Sequence, residues 1–252
     1  MILLGVFAHP DDECTVAGGV FVRHGGQSIL VSCTNGEFGD DVGGVKPGAP
    51  GHDPVRVAAT RRAELDAACG RLGVSVIERL GYHDSGMPGW DAFTDQTVFS
   101  AVAVESVALR VRALVDRYRP DVVVTHNADA AHEHVDHRHA ARATALAVEG
   151  LPTTLYFGAT GAVRFRELME ALAHNGIHRP PADVDRRRGL ELIESRITTR
   201  VALGPAVVDK RAALFEHASQ LGSSLAAQLT AEQYEAVFGT ETFIRVQGEW
   251  GL

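Results

Sequence analysis

Apolar positions in this chain come in short blocks. Short apolar-rich runs at residues 2–7, 27–33, 74–80, 121–125 and 153–157 have the length and the Val/Ile/Leu content of strands, the first of them buried on both faces. Longer stretches between them repeat apolar residues at helical spacing, at 16–24, 55–72, 97–118 and 140–148. In 55–72 the buried face is Val57, Ala58, Leu65, Ala68 and Leu72, and Gly73 ends the helix. The pair Gly18 and Gly19 predicts a first helix packed closely against the sheet. Strand alternating with helix predicts an α/β fold: a doubly wound, mostly parallel, Rossmann-like sheet of order about 3-2-1-4-5 with helices on both faces. Residues 36–54 are rich in Gly and Pro and poor in apolar residues, which predicts a long loop. Past residue 160 the pattern weakens to a helix at 164–174, a basic, proline-containing flexible segment at 178–191, a strand at 197–203, a helix at 207–221 and a strand at 242–246. We read 1–252 as a single α/β domain, with a core of about 1–160 and a smaller C-terminal extension of about 161–252.

Composition narrows the function classes. The 252 residues are 45% hydrophobic and 22% charged, enough for one substantial core. The formal net charge is -8 and no block of Lys or Arg stands out, which argues against nucleic acid or an anionic membrane surface as partner and for a small neutral or cationic substrate. The first apolar run is short, lacks a basic lead-in and runs into His9 and Asp11, so it reads as neither signal peptide nor membrane span, and a cytoplasmic protein is expected. Cys14, Cys33 and Cys69 are odd in number and lack CxxC spacing, which predicts buried thiols rather than disulfides or a thiolate metal site. A homo-oligomer is neither required nor excluded.

The chemistry sits in two clusters. The first strand empties into Ala8-His9-Pro10-Asp11-Asp12-Glu13, and the fourth into His126, Asn127, Asp129, His132, Glu133, His134, Asp136, His137 and His139. Five of the twelve histidines fall between 126 and 139. An acidic trio can also be an ordinary helix start, but in a 3-2-1-4-5 sheet both clusters leave adjacent strands at the switch point and face one crevice. A dinucleotide there would need glycines where this chain has carboxylates. Imidazole and carboxylate donors suit a borderline divalent ion instead. His9, Asp12 and one histidine of His134-Val135-Asp136-His137 would give three ligands and leave positions for water and substrate. Of the adjacent Asp11 and Asp12, one can bind the ion while the other reaches the water. Asp136 reads as a carboxylate orienting an imidazole, His139 as an exposed helix residue, and His126 and His132 as substrate contacts or rim residues. His217 and Gln220 divide between pocket wall and structural hydrogen bond.

The pair Ala8-His9-Pro10-Asp11-Asp12-Glu13 and His134-Val135-Asp136-His137 resembles the PIG-L/LmbE superfamily of zinc-dependent de-N-acetylases, in particular its mycothiol-pathway deacetylase and conjugate amidase branch. Thr34-Asn35-Gly36-Glu37-Phe38-Gly39, Arg61-Arg62-Ala63-Glu64-Leu65, Asp84-Ser85-Gly86-Met87 and Lys210 to Gln220 extend the resemblance. It implies that His9, Asp12 and His137 bind zinc, with iron as the other metal that fits. It implies that Asp11 is the general base and that His134 stabilises the oxyanion or donates a proton. Arg61 and Asp84 are implied to contact the substrate sugar. His132 stands where the family often has Tyr, and His126 where Tyr often follows the fourth strand. The expected activity is removal of an N-acyl, above all N-acetyl, group from an amino sugar or similar small molecule. Cleavage of a thiol conjugate such as a mycothiol S-conjugate is the alternative. A 2-His-1-carboxylate iron oxygenase and a non-catalytic sugar- or metal-binding module are the readings from other classes.

Overall fold

The computed structural model describes residues 1–87, 89–90, 97–129, 134–249 and 251–252. Strands β1 (Leu3–Phe7), β2 (Ser28–Thr34), β3 (Val76–Tyr82), β4 (Val122–Thr125), β5 (Thr154–Gly158), β6 (Thr199–Ala202) and β7 (Thr240–Gln247) form one sheet in the order β3-β2-β1-β4-β5-β7-β6. The first five strands are parallel, in the expected order, and β7 runs antiparallel to both β5 and β6. β1 is buried throughout, with Leu3 and Phe7 in one core and Leu4 and Val6 in the other, as side chains alternating across a pleat must be. Its Gly5 is needed for packing, because a Cβ there would lie 2.7 Å from the rings of both Phe21 and Phe7.

One face of the sheet is covered by α1 (Asp12–Val16), α2 (Gly18–His24), α3 (Pro54–Leu72) and α8 (Ala206–Glu216), the other by α4 (Val104–Tyr118) and α5 (Val135–Val148). The remaining helices α6 (Ala162–His174), α7 (Val184–Arg196) and α9 (Ala231–Phe238) belong to the C-terminal part. Among the described residues, no helix is long and apolar enough to cross a membrane.

Several expectations are corrected. The helix at 16–24 is two helices broken at Ala17, which frees the N–H groups of Gly19 and Val20 to bond the buried Glu241 carboxylate at 2.8 and 2.9 Å. Gly18 and Gly19 face the C-terminal part rather than the sheet. A Cβ on Gly19 would fall 2.3 Å from Leu203 Cδ1, and one on Gly18 would fall 3.1 Å from Lys210 Cγ. The segment expected to be flexible at 178–191 contains the start of α7, capped by Asp183 accepting from Arg186 N at 2.8 Å. α9 is an addition, opened by a reciprocal capping box between Thr230 and Gln233. His139 is half-buried edge-on against Phe99, with ring centroids 4.8 Å apart, and is not an exposed helix residue.

Candidate metal centre and cleft

The first cluster lies in the turn from β1 into α1. Asp11 has φ 114° and ψ −23°, in the left-handed region that costs a non-glycine residue about 1–3 kcal/mol. Its surroundings hold it there. Its N–H bonds Glu13 Oε2 at 2.9 Å, and its carboxylate accepts from Arg61 Nη2 at 3.0 Å. Arg61 is 4% exposed and also donates to the carbonyls of Gly36, at 2.7 Å, and Pro10. The Asp11 side chain bonds no helix N–H, so it is not a capping aspartate. Glu13 is fully buried, with Oε1 2.6 Å from His217 Nε2 and 3.1 Å from Cys14 Sγ. It braces the turn from beneath rather than serving as a solvated first-turn charge.

Asp12 sits among imidazoles. His137 Nε2 is 3.2 Å from Oδ1, while His126 Nε2 and His9 Nδ1 are 3.3 and 3.5 Å from Oδ2, which also accepts the His9 N–H at 2.7 Å. His126 and His137 stack in parallel at 4.1 Å, which sets the plane of the His137 ring. The other nitrogen of His9 points to the fully buried Asp136, at 3.2 Å, and to Asp84, at 3.6 Å. Asp136 is held by Ser85 through both its N–H, at 3.0 Å, and its hydroxyl. Its carboxylate therefore fixes the His9 proton on Nε2 and leaves Nδ1 for a cation beside Asp12. Three carboxylates around one imidazole are an excess of anionic oxygen in a buried place, which a divalent ion would balance. Candidate donor atoms of His9, Asp12 and His137 all lie within 4.8 Å of one another, so the residues fit such an ion. His9, Asp84, His134 and Asp136 form an overlapping group.

Electrostatics separates the two aspartates. Burial opposes the charged form of Asp12, yet His137 and His126 hold it well below the ordinary carboxylate range. Asp11 moves the other way, raised by burial with Arg61 offsetting only part of it. Burial acts to lower His9, but Asp84 and Asp12 hold it well above the usual histidine value. Burial and the neighbouring His9 push His134 down to about 4. His134 Nδ1 accepts the Asp136 N–H at 3.2 Å, so a neutral ring carries its proton on Nε2.

A cavity of about 350 Å³ is lined by Asp12, His126, Asn127, His134 and His137 together with Arg164, Leu168, Leu225, Tyr234 and Phe238. A smaller one of about 180 Å³, lined by Asp11, His217 and Gln220, shares Asp12, Thr15 and Ser224 with it. The two are lobes of one cleft, and Asp11 faces the smaller. His132 lies outside the described residues. The roles of Ser85 and Arg164 carried no sign of their own in the sequence. Ser85 could be suspected only from its place beside Asp84, and Arg164 is one of two arginines in the first turns of its helix, with nothing in the sequence to single it out.

A family model described as GlcNAc-PI de-N-acetylase matches residues 4–148. The chain is 31% identical over 261 residues to a 1D-myo-inositol 2-acetamido-2-deoxy-α-D-glucopyranoside deacetylase of Acidothermus cellulolyticus, covering 98% of this chain and 89% of the relative. The chain belongs to the GlcNAc-PI de-N-acetylase (PIG-L) family. Solved structures share its fold at lower identity. An N,N'-diacetylchitobiose deacetylase from Pyrococcus horikoshii is 18% identical at a TM-score of 0.58, covering 97% of this chain and 83% of its own. A 4-carboxy-2-hydroxymuconate hydratase from Pseudomonas putida, also 18% identical, reaches 0.66 over 100% and 98%. The PIG-L match takes in both ligand clusters and stops at the end of α5. The wall of the cavity built by Arg164, Leu168, Tyr234 and Phe238 comes from beyond that match.

Proposed function

We propose that this chain is a zinc-dependent hydrolase that removes an N-acetyl group from an amino sugar. The observation that carries the reading is Asp11, a carboxylate held in a left-handed turn beside the His9, Asp12 and His137 donor set at the edge of an open cleft. Family membership supports the same reaction class. We assign the metal to His9, Asp12 and His137, where zinc, with iron as the second candidate, supplies Lewis acidity toward the amide carbonyl and acidifies water.

The remaining work falls to side chains. Asp11, with its affinity for a proton raised by burial, takes one from the attacking water at its carboxylate. Arg61 holds Asp11 in place, and Asp84 and Asp136 hold His9. His134, neutral and protonated on Nε2, donates to the oxygen that becomes negative as water adds to the carbonyl carbon. The proton held by Asp11 then passes to the amide nitrogen as the C–N bond breaks, releasing acetate and the free amine. A cavity of about 350 Å³ is at the small end for organic ligands, which favours an N-acetyl sugar over a bulky thiol conjugate. We place the enzyme in the cytoplasm, consistent with three buried cysteines that form no disulfide.

The test is amine release by the zinc-loaded protein from N-acetylglucosaminyl-inositol and from simpler N-acetyl amino sugars. Asp11→Asn is expected to keep its metal and lose about 10² to 10⁴ in turnover. Normal turnover by a fully metal-loaded Asp11→Asn protein overturns the assignment of the base, and release from none of these sugars overturns the reaction.

A further inference from the structure

The cavity's C-terminal wall mixes apolar side chains with the neutral polar Thr160, Ser224 and Thr242 and, among the described residues, carries one cation. Leu168, Leu225, Tyr234 and Phe238 surround Arg164, which is half-buried on α6. Nearby lies the fully buried pair Lys210 and Glu241, 2.8 Å apart. The Glu241 carboxylate is spent on that lysine and on the N–H groups of Gly19 and Val20. Arg164 bonds the Thr240 carbonyl, and among the described residues no carboxylate lies in ion-pair contact with it. Glu241 is thus already engaged by Lys210 and two N–H groups, and among the described residues the guanidinium that faces the cavity has no carboxylate in contact with it. Burial lowers the pKa of Arg164, with Glu241 and Glu167 compensating from a distance.

The rest of the polar lining has the same sense. Asn127 is 1% exposed and its Nδ2 has no partner among the described residues, while its Oδ1 accepts from Asp129 N at 3.0 Å. The Thr242 hydroxyl is committed to the Ala159 carbonyl. Among the described residues, the one Asp or Glu that lines the cavity is Asp12, which belongs to the metal centre. In a chain of net charge -8, a cavity whose described lining offers a guanidinium and an amide N–H, with no carboxylate away from the metal, is suited to anionic oxygen.

We propose that Arg164 determines specificity by binding a carboxylate or phosphate carried by the amino-sugar part of the substrate, so that the preferred substrate is an anionic N-acetyl sugar. The inference rests on the deacetylase reading and differs from the uncharged sugar named for the Acidothermus relative. The zinc-loaded protein would be assayed for acetate release from N-acetylglucosamine, its 1- and 6-phosphates and N-acetylmuramic acid. Asp11→Asn protein would be titrated calorimetrically with the same four. At least one anionic probe is expected to exceed the neutral sugar by about 10- to 100-fold in kcat/KM and in affinity, the scale of one charge-assisted hydrogen-bonded contact. The arms separate phosphate from carboxylate. Arg164→Gln should collapse that ratio, and Arg164→Lys, which keeps the charge, should restore part of it. A neutral sugar that equals or outperforms every anionic probe overturns the proposal, as does a ratio unchanged by Arg164→Gln or an equal loss on all probes in both variants. Charge-selective binding without acetate release from any probe would leave the Arg164 assignment standing and remove the deacetylase reading.

Discussion

Removing the carboxylate of Asp136 should separate its two tasks, holding Ser85 and fixing the proton of His9. Asp136 is fully buried, and its Oδ2 accepts from Ser85 N at 3.0 Å and lies 3.2 Å from His9 Nε2, while Oδ1 accepts the Ser85 hydroxyl. Asp136→Ala leaves the two Ser85 donors without an acceptor, each costing about 1–3 kcal/mol when buried, while His9 keeps Asp84 3.6 Å away. Even the low end, about 2 kcal/mol in total, lowers Tm by roughly 4–8 °C for a chain of this size. Asp136→Asn keeps the shape. Its amide oxygen can serve His9 and Ser85 N, and its amide nitrogen then faces the Ser85 hydroxyl oxygen, which already accepts from Ser100 N at 2.9 Å. This variant should melt close to the parent but lose the negative charge behind His9, with metal affinity down by about 10- to 100-fold, or about 1.4–2.7 kcal/mol. Competition for zinc against a chelator of known affinity reads the second effect, and thermal melting reads the first. An Asp136→Asn protein that holds zinc as tightly as the parent, or an Asp136→Ala protein that melts within about 1 °C of it, refutes the reasoning.

Arg61→Lys should lower kcat by about tenfold or more with little change in KM, because a single ammonium cannot span Asp11, Gly36 and Pro10 together as the guanidinium does; an unchanged kcat shows that Asp11 keeps its place unaided. Gly19→Ala should cost about 1–3 kcal/mol, since its Cβ would fall 2.3 Å from Leu203, whereas Gly70→Ala in α3 meets nothing within 4 Å and should add up to about 1 kcal/mol. Parallel urea melts of the two variants check the contrast.

The first five strands and their order were legible because most of the strands are apolar blocks, β3 with its Glu78 and Arg79 being the exception, and the crossovers between parallel strands leave helical spacing in the sequence. The C-terminal part was less legible because β7 enters the sheet antiparallel between β5 and β6, a pairing on which local periodicity is silent. The flexible reading of 178–191 overlooked the N-cap signal of Asp183 ahead of α7. At the site, residue types near the motifs could be read but their pairings could not. Ser85 meets Asp136 across 51 residues and His217 meets Glu13 across 204, contacts that leave no mark on either neighbourhood.

The consecutive carboxylates Asp11, Asp12 and Glu13 are the hardest case, since adjacency alone allows any of them to take any role. The turn resolves them. With Asp11 left-handed, Asp12 faces His9, His126 and His137, Glu13 is turned under the turn to His217, and Asp11 is left at the cleft with Arg61. The same geometry explains why Asp11 and Asp12 shift in opposite directions although they are neighbours: Asp12 has imidazoles that outweigh its burial, and Asp11 has one guanidinium that does not. A carboxylate held by its charge among imidazoles suits a cation, and one kept avid for protons suits water. That division of labour is a property of the strained turn more than of the three residue types, which is why restoring an acidic side chain elsewhere in the cleft is not expected to replace Asp11.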